Sequence, residues 1–105
     1  MNYSALASAL IAGLIIAPVA QASFDLARKS SCMSCHMIDK RILGPSFQEV
    51  AAKYAGQDNA HKILAEKVKK GGKGVWGEIP MPPNGHVKDA DLDTLIKWIL
   101  SGAAR

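Results

Sequence analysis

The chain has 105 residues, 49% of them apolar, with 13 Lys+Arg against 9 Asp+Glu for a formal charge of +4. That length leaves room for one small domain. The basic residues are spread along the sequence with few aromatics among them, which argues against a nucleic-acid surface. The only two cysteines sit in one short motif, so there is no disulfide framework.

Residues 5–17 form an apolar run that includes Leu6, Leu10, Ile11, Leu14, Ile15 and Ile16. The run is shorter than the ~20 residues a membrane-spanning helix needs. Pro18 interrupts it, and Ala20-Gln21-Ala22 fits the small-x-small rule of a leader cleavage site. The reading is a secretory signal peptide over residues 1–22, cleaved to leave Ser23 as the new N-terminus of a domain at 23–105, with no stable membrane insertion. The first four residues carry no Lys or Arg, so an uncleaved anchor is the minor alternative.

Residues 24–34 read as a short helix, with Asp25 in its first turn suiting the helix dipole. This helix would deliver Cys32-Met33-Ser34-Cys35-His36. On one helical turn, positions i, i+3 and i+4 share a face. Two thiols can then meet the two vinyl groups of a haem while an imidazole faces the iron from the same side. Cys-x-x-Cys-His is the c-type haem attachment signature. Zinc would need a second pair of ligands at metal-site spacing, and only His61 and His86 remain, isolated from each other. A thioredoxin-like Cys-x-x-Cys needs a βαβ context, and the chain has no strand alternation. The 83 residues from Ser23 onward make a small core that calls for a staple. One haem c, bound by thioethers to Cys32 and Cys35, would supply it from the centre of the core.

Gly44-Pro45 marks a turn. Ser46 then starts a helix running to Tyr54, with Phe47, Val50 and Ala51 at i, i+3 and i+4, and Gly56 closes it. Asp58 is the expected N-cap of a third helix and Gly71 its stop. Ile63, Leu64 and Val68 give that helix an apolar side, and Lys62, Glu66, Lys69 and Lys70 a solvated one. Residues 71–88 hold five of the nine glycines and three of the five prolines. A segment this long without helical or strand pattern is uncommon in a small domain unless it is functional. Met81 lies at its centre, between prolines that fix φ and stiffen the strap. The last helix is the clearest. Asp89 is its expected cap, Asp91 and Asp93 suit its dipole, and Leu92, Leu95, Ile96 and Ile99 repeat at i, i+3, i+4 and i+7. Trp98 flanks that stripe, and Ser101-Gly102 ends the helix. The fold class is all-α.

For the second axial position on the iron there are several candidates. Met33 and Met37 sit beside His36 and cannot reach round the ring. His61 lies in a helix without a rigid loop, and His86 follows flexible Gly85. Met81, 45 residues beyond His36 on a stiff loop, is the favoured ligand, with His86 next. An open sixth site, in a haem enzyme or gas-binding protein, is the competing class. A structural subunit that never releases its partner is a third.

The sequence resembles the short bacterial class I cytochromes c, the cytochrome c-551 and c-552 group. The resemblance runs over residues 23–105. It is carried by the Cys-x-x-Cys-His motif, Leu43-Gly44-Pro45, Val50-Ala51-Ala52-Lys53-Tyr54-Ala55-Gly56-Gln57, Gly74-Val75-Trp76-Gly77, Ile79-Pro80-Met81-Pro82-Pro83-Asn84 and Leu95-Ile96-Lys97-Trp98-Ile99-Leu100. It implies a small class I cytochrome c fold, about four short helices wrapped around one covalently attached haem, with the first and last helices crossing. It implies His36 and Met81 as axial iron ligands and a Pro45 carbonyl that accepts a hydrogen bond from His36. It further implies a Trp76 indole bonded to a haem propionate and an Asn84 that steadies the Met81 sulfur. The sequence departs from the family in two places. Ala27 stands where a Phe is usual in the first helix, and Gly85-His86 lengthens the exit of the strap. The implied function is one-electron transport in the periplasm by a monomer of a respiratory chain, and not an enzyme. Its partners would be redox proteins: a quinol-oxidising complex or other donor upstream, and a nitrite reductase, terminal oxidase or peroxidase downstream.

Overall fold

The computed structural model describes residues 17–105, with side chains from residue 19 onward. Residues 1–16 of the expected leader at 1–22, including all of its apolar run but Ala17, lie outside the described residues. Four helices follow one another: α1 (Ala17–Lys29), α2 (Phe47–Tyr54), α3 (Ala60–Lys70) and α4 (Asp89–Leu100). Among the described residues the β pairing is limited to one isolated antiparallel bridge, between Gly72 and Met81. None of the described helices is long and apolar enough to cross a membrane.

α4 is the element the others pack on, touching α1, α2 and α3. Its sequence explains this. Leu92, Leu95, Ile96, Trp98 and Ile99 are all buried, so the apolar stripe is wide enough to face three neighbours. Each such side chain contributes about 1.5–3 kcal/mol when fully buried. Trp98, expected only to flank the stripe, sits at the junction. Its ring meets Phe24 of α1 at 6.4 Å and Phe47 of α2 at 5.5 Å, both edge-on, and its Nε1 donates to the Ala104 carbonyl at 2.6 Å. Ala27, the small residue in place of the usual Phe, is fully buried. The aromatic contact between α1 and α4 is thus carried by Phe24, one turn earlier.

Three helix boundaries differ from the sequence reading. The helix expected at 24–34 is instead α1, which runs through Ala22 and Ser23 and ends at Lys29, so Asp25 is not in its first turn. Ser31 adopts a left-handed φ of 67°, which breaks the helical path before the motif. α3 is preceded by Asn59, not Asp58. Residue 59 has φ −102° and ψ 15°, not the extended backbone that lets a side chain reach back over the first turn, and it makes no capping bond. α4 is preceded by extended Lys88, which makes Asp89 the first helical residue, and the Asp89 carboxylate pairs with Lys69 of α3. Ser46, by contrast, is the N-cap of α2. Its hydroxyl accepts from the Glu49 backbone N–H and the Glu49 carboxylate accepts from the Ser46 N–H, a complete capping box.

Candidate functional site

The site is assembled from two loops. The first starts where α1 stops. After Ser31 the chain makes one tight 3₁₀ turn over Cys32–Ser34, and the Cys32 carbonyl accepts from the N–H of both Cys35 (3.2 Å) and His36 (3.0 Å). The motif is thus held on a single turn, though a 3₁₀ turn of its own and not the end of the first helix. Both cysteines are free and half-buried. Burial pushes the Cys32 thiol above its ordinary value, with a backbone hydrogen bond opposing in part.

His36 is fixed from three sides. Its Nδ1 lies 2.7 Å from the Pro45 carbonyl. A carbonyl can only accept, so Nδ1 donates and Nε2 is left as the lone-pair nitrogen. The Phe47 ring stacks on the imidazole at 5.2 Å and 20°. Gly44 passes so close that a Cβ there would lie 2.8 Å from His36 Cε1 and 3.1 Å from Nδ1. Gly44 N–H closes the loop on the Cys35 carbonyl at 2.8 Å, and Phe47 N–H ties the start of α2 to the Met37 carbonyl at 2.9 Å.

The second loop, residues 71–88, carries Met81. Gly72 and Met81 exchange two backbone hydrogen bonds, of 3.0 and 2.8 Å. Asn84 N–H donates to the Val68 carbonyl of α3 at 2.8 Å, so the exit before Gly85 and His86 is anchored. The Asn84 amide donates to the Pro82 carbonyl at 2.9 Å, which steadies the strap itself. Trp76 is half-buried in a turn closed by Gly74 N–H on the Gly77 carbonyl, and its ring faces two cations, Arg41 at 5.6 Å and Lys53 at 5.5 Å. Cys32, Cys35, His36 and Pro45 are therefore one hydrogen-bonded unit. Met81 and Asn84 form a second on the strap, and Trp76 is joined to the first loop through Arg41, whose Nη1 donates to the Trp76 carbonyl at 3.1 Å. Sequence reading missed two features here. Arg41 stands in no motif, and its reach to Trp76, 35 positions away, leaves no local mark in the sequence. The double duty of Glu49 could have been found from the Ser46-x-x-Glu49 spacing, which is the capping-box pattern.

Large apolar side chains remain exposed along both loops: Ile42 and Leu43 on the first, Val75 and Ile79 on the second, with Leu43 at 58% and Ile79 at 62%. Paired thiols, a lone-pair nitrogen and apolar side chains left uncovered on both loops fit a flat apolar group with a metal at its centre. The model of the Cytochrome c family matches residues 20–103. The chain belongs to the cytochrome c family.

Its relatives agree along most of its length. A cytochrome c-552 of Nitrosomonas europaea is 50% identical over 88 residues, 84% of this chain and 85% of its own. A cytochrome c-551 of Pseudomonas aeruginosa is 46% identical over 103 residues, 96% of this chain and 98% of its own. The crystal structure of wild-type Nitrosomonas europaea cytochrome c552 superposes with a TM-score of 0.72 at 50% identity, covering 74% of this chain and 96% of that one. The all-α class I cytochrome c fold is thus this chain's fold. Cytochromes c are electron carriers with covalently bound haem c, and the single Cys-x-x-Cys-His makes this a monohaem member.

Proposed function

We propose that this cytochrome c is a periplasmic one-electron carrier of a respiratory chain, with its haem held by Cys32 and Cys35 and its iron by His36 and Met81. The observation that supports this most is the 2.7 Å bond from His36 Nδ1 to the Pro45 carbonyl inside a Cys-x-x-Cys-His turn. It sets the tautomer that a haem ligand needs and raises the basicity of the free nitrogen. When bound, the haem supplies the Fe(II)/Fe(III) couple. Cys32 and Cys35, both free thiols, would hold the haem as thioethers through its two vinyl groups. Met81 offers a soft, neutral thioether that favours Fe(II). Asn84 keeps a second amide hydrogen for the Met81 sulfur while the first holds Pro82. The Trp76 indole is a donor for a haem propionate.

With His36 and Met81 both holding the iron, no site would be left for a substrate, and the chain would act as a carrier and not as an enzyme. Residues 1–22 act as a cleaved secretory leader. Removing them spares Phe24 and Ala27, the residues through which α1 meets α4. The protein then works as a soluble monomer between redox partners, a quinol-oxidising complex or other donor upstream and a nitrite reductase, terminal oxidase or peroxidase downstream. Oxidised and reduced visible spectra of the periplasmic fraction test the proposal. A covalently retained haem c with a sulfur–iron charge-transfer band in the oxidised state is expected. A high-spin spectrum lacking that band would refute Met81 ligation and restore the open-site reading.

A further inference from the structure

The loop at 71–88 is tied to itself through Gly72 and Met81, and to α3 through Asn84 and Val68. Among the described residues one hydrogen bond joins it to the histidine loop, the bond from Arg41 Nη1 to the Trp76 carbonyl across 35 positions of sequence. The same guanidinium lies over the Trp76 ring, at 5.6 Å from its centroid, and its Nη2 is 3.4 Å from Glu49 Oε1. Glu49 Oε2 in turn accepts from the Ser46 N–H at 2.7 Å, next to the Pro45 carbonyl that holds His36. A continuous path of bonds therefore runs from Trp76 through Arg41, Glu49 and Ser46 to the Pro45–His36 contact. A planar fork with several fixed donors can grip a carbonyl and a carboxylate while stacking on a ring; a compact ammonium cannot do all three.

We propose that Arg41 is a positioning residue, clamping the Trp76 loop to the capped start of α2 and so holding the methionine side of the haem site against the histidine side. The proposal rests on the haem reading above. Loss of the clamp frees the Trp76 loop to move outward and lets water reach the haem edge. Water favours the more highly charged ferric state, so the reduction potential falls. Lys40, the neighbouring exposed cation, makes no such contact and serves as the control for charge alone.

The test compares haem-loaded wild type with Arg41→Lys, Arg41→Gln and Lys40→Gln. Amide exchange at Gly74, whose N–H closes the Trp76 turn on the Gly77 carbonyl, reports loop opening. Redox titration reports the haem surroundings. Exchange at Gly74 is expected to speed up by about 3- to 10-fold in both Arg41 variants, as loss of exposed charged and cation–π contacts implies. It should stay at the wild-type rate in Lys40→Gln. The potential of Arg41→Lys should shift downward although its charge is kept. Wild-type exchange in both Arg41 variants overturns the proposal. So does an Arg41→Lys variant of unchanged potential, whether or not its loop opens, because the contact would then stabilise without positioning. The exchange measurement does not depend on the sixth ligand, so failure of Met81 ligation and failure of the clamp are read separately.

Discussion

Gly71 is the residue whose replacement should separate holding the haem from ligating its iron. It ends α3 with φ 70° and ψ −169°, a region closed to side chains. Forcing alanine into it costs about 1–3 kcal/mol. The strap adds a second penalty. A Cβ at Gly71 would fall inside van der Waals contact of the Met81 carbonyl oxygen, and 2.9 Å from both Pro82 C and Pro83 N. Those are backbone atoms of the strap, so no rotamer change relieves them. The strap must move away, and both bonds of the Gly72–Met81 bridge weaken, at about 1 kcal/mol each. Gly71→Ala should therefore destabilise by about 3–5 kcal/mol, a large share of the 5–15 kcal/mol typical of a domain. The loss should fall first on the methionine side. Haem stays attached through Cys32 and Cys35, while the sulfur–iron band of the oxidised spectrum weakens or vanishes at lower denaturant than global unfolding. Gly85→Ala is the matched control. No atom lies near a Cβ there and its φ is not left-handed, so it should be neutral or stabilising by up to ~1 kcal/mol. Denaturant titrations followed at the sulfur–iron band and by far-UV circular dichroism measure both quantities. A Gly71→Ala protein as stable as wild type, with its band intact, would refute the reasoning.

Met81→His should keep a six-coordinate, low-spin spectrum while lowering the potential. At ~59 mV per tenfold change, a drop of ~200 mV disfavours acceptance from the same donor by more than three powers of ten, and an unchanged potential in redox titration would count against Met81 as the ligand. Exposed Lys40, Lys73 and Lys88 should steer acidic partners, with Arg41 less available because it is engaged by Trp76 and Glu49. Electron-transfer rates should then fall with added salt and with Lys73→Glu/Lys88→Glu, and salt-independent rates would contradict this. The Ser46 N–H, and then the charge of Arg41, hold the Glu49 carboxyl below its ordinary 4.5. The folded pKa is the lower one, so this contribution is complete above about pH 4.5 and is lost as pH falls through the folded value. Glu49→Gln should flatten the acid side of the thermal stability–pH profile, and identical acid limbs would argue against the capping box as a source of stability.

The Cys-x-x-Cys-His motif that points to the cytochrome c family was legible because its residues are contiguous. Cys32, Cys35 and His36 declare themselves by spacing alone, whether the turn beneath them is α or 3₁₀. The stripe of α4, the apolar sides of α2 and α3 and the stops at Gly56 and Gly71 were equally readable, since each depends on neighbours three or four positions away or on a glycine's freedom at positive φ. Caps were read less well. Whether Asp58 or Asp89 caps a helix depends on the backbone angles with which the chain enters it. The entry into α4 is set by the strap, in which Val87 is buried, and the Asp89 carboxylate is drawn to Lys69 across the helix pair. What tertiary structure alone decided were contacts between distant segments. Trp98 became the junction of α1, α2 and the chain end, Gly44 and Gly71 had to be glycine for a ring and a strap to pass, and Arg41 came to hold Trp76. The physical reason is that local periodicity constrains only which face of an element is apolar. Which loops return to touch each other follows from how α4 gathers three helices at once, and that packing has no signature within any one stretch of the chain.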